Sequence, residues 1–298
     1  MNAPDDGAVP FDFAQGKPAA EDASEADDRM TAERDEVKYL VAPEQVAPFA
    51  GALSRRLTHH RFTGEGANRL PRPRHFVTTI YFDTPSRHQF RASRADHENN
   101  LKMRAKEYYD IHPSLAELAT DPGQIVKYQP NLWLELKFRE GTKTGKRRIG
   151  LPKRDVPAFF AEGVITREMV DLQRPRYGAE GEAVLREISA YCGRYGEPFR
   201  ADCLVNYRRL PWQDAEGHLR VTMDVDLSFF APPSDLWQRR TALVRETLGD
   251  PRGRQAKAIL EVKARGDLPE WLTELMADVR AERMVFSKFE EASQAVHG

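Results

Sequence analysis

Seven stretches of this 298-residue chain set chemically active side chains at every second position. They are Glu36/Lys38, Lys102/Arg104/Lys106, Glu135/Lys137, Lys146/Arg148, Tyr207/Arg209, Arg220/Thr222/Asp224/Asp226 and Glu261/Lys263. A period of two is the period of a strand, so each set shares one strand face. The residues between them are mostly Leu, Val, Ile, Met or Phe, and that apolar face has to be covered. A single charged face is ordinarily a solvated one. Solvated faces usually mix Ser, Gln and Asn with their charges, whereas here acid-x-Lys and cation-x-cation recur. Closing the strands into a barrel would send every charged row into one lumen. Many cations with a few carboxylates suit a polyanion that carries a divalent metal. Lys and Arg pair with phosphate oxygens. Carboxylates are hard oxygen ligands for Mn2+ or Mg2+. Phosphoryl transfer needs charge stabilisation and alignment above all, and such a lumen supplies both.

The elements that must position these groups follow from the hydrophobic pattern. Residues 1–30 hold eight acids against two cations, with few large apolar residues beyond Phe11 and Phe13. That composition cannot offset its ordering entropy, so a disordered acidic tail is expected, followed by one domain over 31–298. Residues 33–41 read as a strand. Pro43 opens a helix whose stripe is Val46, Phe49, Ala50, Leu53 and Leu57. Residues 64–73 form a loop, 75–83 a strand, 87–100 a polar connection and 131–138 a strand that turns between Gly141 and Gly145 into 146–151. The middle, 153–200, is mainly helical, with Val184, Leu185, Ile188, Tyr191, Cys192 and Tyr195 on one stripe. Strands return at 203–210, 219–227 and 258–263. A helix covers 269–284. Ser287 with Glu290 three residues on is a capping box for a last helix. The expected class is α+β: an antiparallel β-barrel with a charged lumen and helices on its outer face.

Composition removes other classes. Of 45 basic and 46 acidic residues, two and eight lie in the tail, leaving 43 against 38 in the remainder. A mildly basic body suits an anionic ligand. Cys192 and Cys203 make neither a disulfide framework nor a CxxC site, so a reducing, cytoplasmic setting is expected. No apolar run approaches the ~20 residues of a membrane span, and the N-terminus has no signal-peptide core. His59 and His60 are adjacent and face different ways on a helix, and His88 and His97 have no evident partner, so zinc is not expected. Basic residues interleaved with acids argue against a nucleic-acid surface. No Ser-His-Asp set or Gly-rich phosphate loop is present.

The order Arg34-x-Glu36-x-Lys38-Tyr39, Tyr81-Phe82-Asp83-Thr84, Lys102-x-Arg104-x-Lys106-x-Tyr108, Glu135-x-Lys137, Lys146-x-Arg148, Tyr207-x-Arg209, Arg220-Val221-Thr222-Met223-Asp224, Glu261-x-Lys263 and Ser287-Lys288-Phe289 resembles the VTC domain. That is the polyphosphate polymerase domain of the vacuolar transporter chaperone complex, in the triphosphate tunnel metalloenzyme superfamily. The resemblance spans roughly 31–298. It implies a tunnel that takes the triphosphate of ATP with a divalent metal and passes phosphoryl groups to phosphate or polyphosphate. Carried over by motif, Lys38, Arg104, Lys106, Arg209, Arg220 and Lys288 are the catalytic cations. Lys137, Lys146, Lys263, Tyr207, Ser287 and Lys102 are further phosphate contacts. Glu261 is the metal ligand, with Glu36, Glu135 and Asp224 as additional acids for metal or for orienting cations. The eukaryotic complex also has an SPX domain and membrane helices, and neither is visible here. Lys106 stands where the family usually has Arg, and Val285 where the polymerase has a second Lys. A hydrolase of the same fold and a non-catalytic polyphosphate or nucleotide sensor are the alternative readings.

Overall fold

In a computed structural model describing residues 35–59, 75–97, 99–109, 130–140 and 143–298, the alternating stretches pair into one antiparallel sheet. The expected acidic tail, the 64–73 loop and Gly141 lie outside the described residues. The strands are β1 (Asp35–Val41), β2 (Thr58–His59), β3 (His75–Asp83), β4 (Asn99–Tyr109), β5 (Asn131–Glu140) and β6 (Lys143–Pro152), then β7 (Arg200–Gln213), β8 (Leu219–Phe230), β9 (Gly253–Gln255), β10 (Ala258–Ala264) and β11 (Glu282–Arg283). The helices are α1 (Val46–Ser54), α2 (His88–Ala95), α3 (Val156–Glu162), α4 (Arg167–Tyr177), α5 (Gly181–Gly193), α6 (Glu270–Asp278) and α7 (Lys288–His297). Strand order is β11-β1-β10-β8-β7-β3-β4-β5-β6, with β2 added to β7 and β9 to β8.

This ladder is a path with two ends, so backbone pairing does not close the expected barrel among the described residues. The β6 edge has a physical reason to stay unpaired. Gly150 N–H donates to Gln173 Oε1 at 2.9 Å, and Gln173 Nε2 donates back to the Gly150 carbonyl at 2.7 Å. Tyr177 donates its hydroxyl to the Arg148 carbonyl at 2.7 Å. Helix α4 therefore satisfies peptide groups that a closing strand would have used. At the opposite end, the short β11 pairs with β1, and Met284 N–H donates to the Lys38 carbonyl at 3.0 Å.

The apolar strand faces are covered as the alternation requires. Ile80, Met103, Leu134, Leu136 and Ile149 pack under Phe159 of α3, Met169 of α4 and Leu185 and Ile188 of α5. Val221, Met223, Leu260 and Val262 pack under Phe49 and Leu53 of α1 and Leu272 and Met276 of α6. Helix α7 lies instead on the charged side of the sheet. Its Phe289 and Ala292 join Val77, Tyr81, Val205, Tyr207 and Ile259. Phe289 is 1 % exposed, and burying a phenylalanine contributes ~1.5–3 kcal/mol.

Four local expectations change. The polar connection over 87–100 contains α2, because the Asp83 carboxylate accepts the N–H groups of Gln89 (2.8 Å) and Phe90 (2.9 Å) and caps it. The helix expected over 269–284 ends at Asp278, and Arg280, at φ 50°, turns the chain into β11. Pro43 opens a 3-10 turn, and the α-helix begins at Val46. Gly145 is not a turn residue. It lies within β6 beneath Phe138, whose Cζ would stand 2.0 Å from a β-carbon there.

Candidate functional site

Strand register turns the alternating charges into rows. On one wall, Lys102, Lys137 and Lys146 align across β4, β5 and β6, and Arg104, Glu135 and Arg148 align beside them. On the other wall, Glu36, Lys263 and Arg220 align across β1, β10 and β8, with Lys38, Glu261 and Thr222 alongside. Asp224 of β8 sits opposite Arg209 of β7. The walls meet: Lys137 Nζ lies 3.5 Å from Glu36 Oε2, although β10, β8, β7, β3 and β4 intervene between β5 and β1. The sheet therefore curls until its two charged walls touch through their side chains. Helix α7 occupies part of the enclosed side.

Each carboxylate holds cations in place. Glu135 accepts from Arg104 Nε at 2.8 Å on one oxygen, and from Arg148 Nε and Nη2 at 3.0 Å on the other. Burial pushes its carboxyl up, but Arg104, Lys106 and Arg148 outweigh this and hold it far below the usual range. Asp224 accepts from Arg209 at 2.6 and 2.8 Å, and Lys288 Nζ stands 2.7 Å away. Burial opposes its charge, yet Arg209 and Lys288 bring it to about 2. Glu36 is shared by Lys38 (3.4 Å), Lys137 (3.5 Å) and Lys263 (3.1 Å). Glu261 meets Lys263 at 3.3 Å. Burial acts against its charge, and Lys263, Lys38, Arg209 and Lys288 together hold it well below the usual value.

With both oxygens engaged by cations, Glu135 and Asp224 act as orienting acids. Glu261, with a single ion-pair partner among the described residues, is the acid with most room to accept a metal. Among the described residues, no three His, Cys, Asp or Glu side chains come together as a metal cage. The arrangement fits a hard cation held by one or two carboxylates together with phosphate oxygens.

The cations differ in how they are held. Tyr207 lies beneath two of them, 5.5 Å from the Arg209 guanidinium and 5.1 Å from Lys288 Nζ, close enough for cation–π attraction. Lys38 Nζ donates to the Phe286 carbonyl at 3.0 Å. Lys106 has no hydrogen bond or ion pair with any described residue. Burial, then Arg104, lower its pKa well below the ordinary lysine value. Lys102 and Lys137 are each lowered by burial to about 8.

The structure brings nearly all the expected residues to this enclosed side and assigns some of them a different task. Lys102 Nζ donates to Ser287 Oγ at 2.9 Å and Glu290 Oε1 at 3.3 Å, so it ties down the start of α7. Ser287 accepts the Glu290 N–H at 3.3 Å as the N-cap, while the Glu290 carboxylate turns to Lys102 and Ser93. Asp226 leaves the row expected for it. At φ 58° beside the β7–β8 register shift, its exposed side chain pairs with Arg208 at 3.0 Å. Val285 is 74 % exposed, so an apolar side chain stands in solvent at that position. Arg148, given no role from the motif comparison, completes the Glu135 clamp. Its place opposite Glu135 follows from the β5–β6 hairpin register.

The family model described as VTC domain matches residues 33–297. No curated protein matches. Among solved structures the chain is similar to a Bacillus halodurans protein described as a candidate adenylate cyclase, at 12% identity over 87% of this chain and 98% of that one, with a TM-score of 0.43. It is also similar to the PH1819 protein of Pyrococcus horikoshii, at 10% identity over 87% and 96% of the two chains, with a TM-score of 0.38.

Proposed function

The chain belongs to the VTC domain family, and from that premise we propose that it is a metal-dependent polyphosphate polymerase moving the γ-phosphoryl group of ATP onto phosphate or a growing polyphosphate chain. The observation that carries this reading is the meeting of two cationic walls across the Lys137–Glu36 contact. Cations drawn from β1, β4, β5, β6, β7, β8, β10 and α7 then surround one enclosed path, and that path is read as a tunnel for the polyanion.

The chain's own groups suit this chemistry. Arg104 and Arg209, each aligned by a carboxylate, present planar donor forks of the kind that match phosphate oxygens. Lys106 has no hydrogen bond or ion pair with a described residue, and a phosphate would favour its charged form against the burial and the Arg104 charge that oppose it. Lys38, Lys137 and Lys263 are held around Glu36 and can exchange that carboxylate for phosphate. Fixed charges of this kind stabilise the transferring group without reorganising during the reaction. Glu261, with Glu36 beside it, would hold Mn2+ or Mg2+ jointly with the phosphates. When bound, that ion supplies Lewis-acid polarisation of the phosphoryl oxygens. Two buried thiols, Cys192 and Cys203, fit a reducing, cytoplasmic setting. No helix among the described residues is long and apolar enough to cross a membrane.

The test is direct. Purified protein is incubated with ATP and Mn2+, and the products are resolved by gel and by phosphate release. Phosphate chains with ADP are the expected outcome. Phosphate release without chains would replace the polymerase with a hydrolase. Saturable ATP binding with neither product would make the protein a sensor.

A further inference from the structure

Strands β4 and β5 part company at one end of the cationic path. Their ladder runs from Asn99 opposite Glu140 to Ala105 opposite Leu134 and stops. Beyond it, β4 continues against β3, with Tyr108 opposite Val77. β5 continues against β6, with Asn131 opposite Pro152. A fork therefore opens between two neighbouring strands. By alternation with Arg104 and Glu135, its charged-side residues are Lys106 and Tyr108 on one arm and Trp133 on the other.

The residues at this fork are unusual for their positions. Trp133 is 46 % exposed and Tyr108 41 %, and they are the two exposed large aromatics among the described residues. The indole lies across Gly150 of β6, where an added β-carbon would come within 3.2 Å of its Cζ3. A glycine at that point lets the ring lie down on the sheet. Trp133 stands two residues, ~7 Å along the strand, from Glu135 and the Arg104 clamp. Lys106 directly follows Ala105, the last β4 residue paired with β5, and so begins the other arm of the fork. Aromatic surface continuous with a phosphate-binding path is the combination that recognises a nucleotide by stacking its base.

We propose that the β4–β5 fork is a nucleobase subsite, in which the base of a nucleoside triphosphate stacks on Trp133 while Lys106 meets the phosphates. The inference rests on the triphosphate reading of the path and adds to it a preference for a nucleotide over an inorganic triphosphate. The pairing is sequence-tolerant in the sense that any base has a stacking face, so purines with their larger rings gain most.

The experiment compares ATP with inorganic tripolyphosphate by calorimetry, using wild type, Trp133→Ala and Trp133→Phe, each checked for an unchanged far-ultraviolet spectrum. Trp133→Ala is expected to weaken ATP binding roughly 5- to 150-fold, the range that stacking on one aromatic side chain implies. Tripolyphosphate affinity should stay within about twofold, and Trp133→Phe should recover most of the ATP affinity. ATP should also quench tryptophan fluorescence in wild type more than in Trp133→Phe, and tripolyphosphate should not. Equal losses for both ligands would make Trp133 a structural residue and overturn the proposal, as would unchanged ATP binding in Trp133→Ala. Failure of wild type to bind either ligand would overturn the triphosphate reading itself, a result distinct from loss of the base preference alone.

Discussion

Asp224→Asn removes one negative charge from the most enclosed clamp in the site. Asp224 is 0 % exposed and binds Arg209 at 2.6 and 2.8 Å and Lys288 at 2.7 Å. Two magnitudes bound the cost. The carboxyl falls from the usual 3.8 to about 2, burial opposing and the two cations prevailing. At ~1.4 kcal/mol per unit, that is about 2 kcal/mol of stability. Breaking a buried ion pair from one side typically costs ~3–5 kcal/mol, because the partner charges stay behind. The expected loss in unfolding free energy is therefore about 3 kcal/mol by urea titration at pH 7. Because the folded-state pKa is depressed, the Asp224 contribution is present above about pH 4 and is lost as pH falls towards 2. The gap between wild type and Asp224→Asn should narrow over that window. A second arm uses tripolyphosphate. In the variant, Arg209 and Lys288 lose their directly paired carboxylate and keep only the field of Glu261, so the ligand should raise the variant's melting temperature more than the wild type's. A loss below ~1 kcal/mol, together with equal ligand shifts, would refute the view that Asp224 holds these two cations for an anion.

Three further outcomes are expected. Glu261→Gln should lower the unfolding free energy, because the cations that hold its carboxyl down lose that charge, and in the folded variant it should cut metal-dependent turnover at least about tenfold; an undiminished response to Mn2+ would remove Glu261 from the metal site. Lys102 and Lys137 titrate near 8 in the folded protein against 10.5 when exposed, so the unfolded chain holds more protons and stability from these groups rises between those values. A bound polyanion favours their charged forms, and calorimetry at pH 9 in two buffers of different ionisation enthalpy should record net proton uptake; proton release would contradict this account. Gln173→Leu strands the Gly150 N–H and carbonyl at the covered edge of β6. It should cost about 3 kcal/mol in urea unfolding; a loss under ~1 kcal/mol would mean that the edge is satisfied in another way.

How far the sequence could be read depended on the range of the contact. Lys102, Arg104 and Lys106 announce a shared face through a period of two, and the apolar residues between them announce the covered side. The Glu135–Arg148 clamp needs only the register of a local hairpin. The Lys137–Glu36 contact is different. No local pattern states how tightly a sheet curls, and the helical cover of the β6 edge by Gln173 and Tyr177 leaves no alternation to detect. Lys102 matched a phosphate-binding motif, yet its partners Ser287 and Glu290 come from a helix whose docking on the charged side depends on Phe289. The start of α2 did have a local signal, the Asp83-Thr84-Pro85-Ser86 segment, where an acid at a strand end can cap the next helix. Asp226 defeated the alternation because a register shift and a left-handed backbone turn it outward.

One contact also sets the order in which the molecule can be completed. Lys38 reaches the Phe286 carbonyl across 248 positions of chain, and β1 finds its long partner only in β10. Closing so large a loop comes late and slowly compared with the neighbouring β4, β5 and β6. Without that pairing, the β4–β5–β6 wall keeps its Arg104–Glu135–Arg148 clamp but lacks Glu36 and Glu261. Completion of the site therefore depends on a pairing between distant parts of the chain, and not on hairpin neighbours alone.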